Sequence, residues 1–114
     1  MAAPSEKIIG ILGGMGPNAT ADLYLRIIRA TPAKTDQDHL RVIIYSNPKV
    51  PNRSTAIIGS GQSPLPELIM AGRKLEESGA DFIIIPCNTA HYFLQDLQKE
   101  LGIPVLDMIR ISSK

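Results

Sequence analysis

The chain has no tryptophan, a single cysteine, two phenylalanines, three tyrosines and almost no surplus of either charge. Each shortage excludes something. One thiol, Cys87, cannot form an internal disulfide, so the fold must be held by packing, and the thiol suits a reducing compartment. Twelve basic and eleven acidic side chains leave a net charge of +1, dispersed along the sequence and not gathered into a basic stripe. With so few rings for base stacking, nucleic acid is not an expected partner. Long apolar runs are also missing. Ile8 to Leu12, Val42 to Tyr45 and Phe82 to Ile85 are strand-length and fall far short of the roughly 20 residues that span a bilayer, so no membrane partner is expected. Met1 to Lys7 lacks the hydrophobic stretch of a secretory signal, and the expected location is cytoplasmic.

What is present is a chain of 114 residues, 44% apolar, with room for one lobe (1–114) around one modest core. Lys7 to Leu12 reads as a buried strand that runs into the turn Gly13-Gly14-Met15-Gly16-Pro17. A helix is expected next, with Asn18 as its N-cap, an apolar stripe of Leu23, Tyr24, Ile27, Ile28 and Ala30, and Pro32 as its stop. Lys34 to His39 is a polar loop. Arg41 to Ser46 is a β-branched second strand ended by Asn47-Pro48. From Asn47 to Pro66 four prolines and two glycines form a segment long enough to suggest a functional loop, with Ser54 to Ile58 able to make a helical turn. Leu65, Leu68, Ile69, Gly72 and Leu75 line one face of a second helix that closes at Gly79, a suitable left-handed cap. Phe82 to Ile85 is a third strand. A third helix, apolar at Phe93, Leu94, Leu97 and Leu101, follows His91 and closes at Gly102, before a fourth strand at Pro104 to Met108.

Strands alternating with helices at this spacing imply parallel βαβ units. The expected fold is a three-layer, doubly wound α/β domain of the flavodoxin-like kind, with four mainly parallel strands and ligands bound beyond their carboxyl ends. The alternation calls for one more helix after Met108, where only six residues remain.

Three segments fall at those strand ends. Gly14-Met15-Gly16-Pro17-Asn18-Ala19 formally fits a dinucleotide fingerprint, but Tyr45, Ser46 and Asn47 stand where a ribose-binding acid is wanted, and Pro17 removes a backbone donor. A structural turn and a site for a small carboxylate are the other two readings, the last being the favoured one. Pro86-Cys87-Asn88-Thr89-Ala90-His91 sets a cysteine at a strand end that opens a helix, in the positive field where reactive thiols are found. A packing role for that thiol competes with this. His91, four residues on, could assist the thiol from the same helix face, or simply pack. His39, Cys87 and His91 are too few and too scattered for a metal site. Finally, Arg53 on the proline-stiffened loop can fork onto a carboxylate.

Together, Ile9-Gly-Ile-Leu-Gly-Gly-Met-Gly-Pro17, Asn47-Pro48 with Pro51-Asn52-Arg53, Gly79 to His91 with its P-C-N-T-A-H core, and Ile103 to Ile109 resemble the aspartate/glutamate racemase family over nearly the whole chain. The resemblance implies enzymes that invert the α-carbon of a small acidic amino acid without pyridoxal phosphate or metal, using two cysteines on opposite faces of the substrate. It implies that Cys87 is the first of that pair and that Met15 (through its backbone), Asn47, Arg53, Asn88 and Thr89 bind substrate. Members of the family are about twice this length and carry the second cysteine in a second lobe. A fragment corresponding to the N-terminal lobe, or a homodimer in which two facing lobes each supply Cys87, would reconcile the two. A non-catalytic carboxylate-binding domain is the alternative function, and a cysteine amidohydrolase or decarboxylase a third.

Overall fold

A computed structural model describes residues 6–51, 59, 62–87 and 89–106, with Thr89 described in its backbone only. The described elements are β1 (Ile8–Gly13), α1 (Pro17–Ala30), β2 (Arg41–Ser46), α2 (Leu65–Glu77), β3 (Phe82–Ile84) and α3 (Leu94–Lys99), with 3₁₀ turns at Asp36–Asp38 and Thr89–Phe93. The strands form one parallel sheet in the order β2-β1-β3. The expected α/β architecture is therefore present.

Among the described residues three strands are formed, and the expected fourth is represented there by a single bridge. Val105 alone makes a parallel bridge to Ile83, with the Ile83 N–H donating to the Pro104 carbonyl and the Leu106 N–H to that of Ile83, both at 2.9 Å. The outer edge of this segment is taken by a side chain. The Val105 N–H donates to Gln98 Oε1 at 2.6 Å and Gln98 Nε2 donates to the Ile103 carbonyl at 2.9 Å, which satisfies backbone groups that an edge would otherwise expose. Asp107 and Met108 lie outside the described residues.

Register places residues of equal parity on one face. Val42, Ile9 and Phe82 form one row across the sheet, and Ile44, Ile11 and Ile84 the next. Leu12, Ile83 and Ile85 face the other way, into a core shared with Leu68, Ala71 and Leu75 of α2 and Leu97 of α3. The predicted stripe of α2 is thus the face it buries, and Gly79 follows at φ 104°.

Two helix starts differ from the sequence reading. Gly16, not Asn18, caps α1, because Pro17 takes the first helical position, where its fixed φ fits and its missing N–H is no loss. The helix after Cys87 opens as a 3₁₀ segment through Phe93 and becomes α-helical only at Leu94. Ala90 and Phe93 are both buried, and a turn of three residues stacks that i, i+3 pair on one side. The polar loop also holds a short 3₁₀ turn, boxed by Thr35 and Asp38. Among the described residues no helix is long and apolar enough to cross a membrane.

Candidate active site

Because the strands are parallel, the ends of β1, β2 and β3 reach one edge of the sheet together. The glycine turn leaves from the central strand, flanked by Asn47 after β2 and by Ile85-Pro86-Cys87 after β3. Three of the segments read from the sequence therefore share an edge.

The turn and Asn47 are tied together. The Asn47 N–H donates to the Gly13 carbonyl at 2.9 Å, and Asn47 Oδ1 accepts the Lys49 N–H at 3.0 Å, closing the start of the following loop. Gly14 has φ 99°, and a Cβ there would collide with the Asn47 backbone. Both reasons require glycine. Asn47 is 7% exposed, so it is part of the floor of this edge. Met15 buries its side chain in the cluster that contains Val50, Ile85 and Ala90, which leaves its backbone as the part able to meet a ligand.

Cys87 is half-buried and rests on the same cluster, with its N–H donating to the Ile85 carbonyl at 2.9 Å. It stands just before the 3₁₀ segment, so the α-helix expected to begin beside it starts instead at Leu94. His91 lies within that segment, half-buried. With three residues per turn there, the α-helical spacing expected between positions 87 and 91 does not apply. Arg53 and Asn88 lie outside the described residues, as does Ser54 to Ile58, and the Thr89 backbone begins the 3₁₀ segment.

A residue the sequence reading passed over is Thr20. It is the one buried residue of α1, and it accepts the Gly14 N–H at 2.8 Å and donates to the Gly16 carbonyl at 3.2 Å. Its signal was a hydroxyl one turn into a helix that leaves a glycine turn, where Ser and Thr habitually bond local backbone.

A cavity of about 700 Å³ lies at the opposite edge, where β1 and β2 begin, lined by Glu6, Tyr24, Ile28, His39, Leu40 and Arg41 among others. Its charged lining is partly neutralised by an Arg41–Glu6 ion pair at 3.4 Å. Chemistry favours the carboxyl edge, which carries the thiol and the turn amides.

A family model described as Asp/Glu/Hydantoin racemase matches residues 12–114. The broad specificity amino-acid racemase RacX of Bacillus subtilis (strain 168) is 35% identical over 112 residues, covering 94% of this chain and 48% of its own length. Among solved structures, the aspartate racemase of Picrophilus torridus superposes with a TM-score of 0.80 at 38% identity, over 90% of this chain and 44% of that one. An aspartate racemase homologue from Pyrococcus horikoshii OT3 gives 0.73 at 28% identity, over 91% and 46%. This chain spans about half the length of the relatives it matches. With a match that begins at the end of β1 and takes in every strand-end segment described above, the chain belongs to the Asp/Glu/Hydantoin racemase family.

Proposed function

We propose that this chain is one catalytic face of an amino-acid racemase, acting on aspartate, glutamate or a related acidic amino acid through Cys87. The observation that carries the reading is the shared edge of the parallel sheet, where the glycine turn, Asn47 and Cys87 leave neighbouring strands in a chain of racemase family.

The chemistry asked of that edge is difficult. An α-hydrogen of an amino acid is weakly acidic, so the developing carbanion needs donors around the α-carboxylate and a base held against the carbon. In this reading the Cys87 thiolate takes the α-proton and becomes a thiol. The electron pair left on carbon spreads into the carboxylate, which is held by the turn amides, Asn47, Arg53 and the Asn88-Thr89 segment. A second thiol on the far side then donates its proton to carbon and becomes a thiolate, and the configuration is inverted. Neither pyridoxal phosphate nor metal takes part.

Cys87 serves one side of the substrate only. The second thiol belongs to the remainder of a longer protein, of which this would be the N-terminal lobe, or to a second copy of the chain facing the first.

The test is protection of the thiol. Iodoacetamide alkylation of Cys87 should be slowed by L- or D-aspartate or glutamate and not by the corresponding amines that lack the α-carboxylate. Equal alkylation rates with and without any acidic amino acid would contradict the proposal.

A further inference from the structure

We infer that Thr20 is the positioning residue of the glycine turn, deciding which backbone amide a substrate carboxylate meets. The inference rests on the reading just proposed and deepens it.

Thr20 is only 3% exposed, a hydroxyl side chain shut inside a helix start. It engages the turn at three points. The Gly14 N–H donates to its Oγ1 at 2.8 Å, its O–H donates to the Gly16 carbonyl at 3.2 Å, and its own N–H donates to that carbonyl at 3.2 Å. Beneath, its side chain fills the space that a Cβ on Gly13 would need. One side chain thus joins the end of β1 to the first turn of α1.

The consequence concerns donors. Gly14 spends its N–H on Thr20 and Pro17 has none, so neither is offered to a ligand. Among the described residues no hydrogen bond is made by the Met15 or Gly16 N–H. With Gly14 clamped to Thr20 on one side and packed against the Asn47 backbone on the other, the turn has little freedom to rearrange. Thr20 therefore selects Met15 and Gly16 as the donors of the turn. Without its hydroxyl the buried Gly14 N–H would lose its acceptor, and the turn would move to satisfy it.

The experiment is a titration of ¹⁵N-labelled protein with L-aspartate and, separately, L-glutamate, comparing wild type, Thr20→Val and Thr20→Ser, with amide hydrogen exchange of Gly14, Ile11 and Ile83 measured on each. Valine keeps the shape and removes the hydroxyl; serine keeps the hydroxyl. The expected result is that wild type shifts its Met15 and Gly16 amides, Thr20→Val binds about tenfold more weakly with faster exchange at Gly14 alone, and Thr20→Ser stays close to wild type. A merely structural role would speed exchange at Ile11 and Ile83 as well, and would overturn the inference. Wild-type affinity in Thr20→Val would overturn it too, while leaving the racemase reading intact. A wild type whose turn amides ignore both L-aspartate and L-glutamate would overturn the reading and the inference together.

Discussion

The two faces of the sheet are made of similar residues and meet different fates. On the face covered by α2 and α3, Leu12, Ile83 and Ile85 are fully enclosed with Leu68, Leu75 and Leu97. On the other face, where α1 contacts β1, Ile11 is completely enclosed while Ile44, beside it in the same row, is 39% exposed. Tyr24 and Leu25 of α1 and Leu40 before β2 are exposed as well. The strand sequences Val-Ile-Ile-Tyr and Phe-Ile-Ile-Ile are apolar at every position, the pattern of strands covered on both faces. On the first face the cover is complete over β1 and β3 and partial over β2, where Ile43 and Tyr45 are half-buried; on the other it is complete at Ile11 and partial beside it. The difference teaches that the stability of this chain is concentrated between the sheet and α2, and that the apolar rows beside α1 are written for more cover than one helix gives.

The comparison can be broken by mutation. Leu68→Ala should cost about 2–5 kcal/mol in urea denaturation, since it opens a cavity in the enclosed face. Ile11→Ala should fall in the same range because its position is fully enclosed. If Ile11→Ala proves harmless, that face is not closed over β1 in solution. Gly14→Ala forces a positive φ and a collision with Asn47, and should cost about 1–3 kcal/mol while also weakening binding of acidic amino acids. By contrast Ile44→Ser and Leu25→Ser should stay within about 0.5 kcal/mol and should raise solubility. A large loss from either would mean that its surface is covered in solution, and sedimentation across a concentration series would then show self-association.

The smallest effect belongs to Asp38. Its carboxylate accepts the backbone N–H groups of Lys34 and Thr35 at 3.0 and 3.2 Å, and these bonds, with the Lys34 bond first, hold its pKa below the usual 3.8. The folded state therefore favours the charged form. The contribution is present above the ordinary carboxylate value and fades as pH falls through the lowered one. Amide exchange at Lys34 and Thr35 should accelerate only there, and Asp38→Asn should remove the pH dependence with little change in global stability.

How much of this the sequence disclosed follows from the physics of each element. β2 and α2 were legible to within a residue or two, because β-branched runs and three-four spacing are properties of the local chain. The start of α1 misled because Asn18 is a good cap in isolation, yet Pro17 fits the first helical position better. The 3₁₀ opening after Cys87 depends on the burial of Ala90 and Phe93, which tertiary packing decides. Of the candidate site residues, Cys87 stood out by type and position, whereas Met15 and Asn47 were named only through the family resemblance. Thr20 did not stand out, because a threonine in a helix is ordinary until the turn it clamps is seen. Arg53 and Asn88 fall outside the described residues.

The central claim is that Cys87 moves the α-proton of an acidic amino acid. Its most direct test is α-deuterium incorporation into L- and D-aspartate and glutamate in D₂O, with chiral analysis of the product and Cys87→Ala alongside. The account predicts exchange that depends on Cys87, with retention where one lobe acts alone and inversion where two lobes meet. Exchange that survives in Cys87→Ala, or no exchange under any condition in which the chain binds the amino acid, would contradict it.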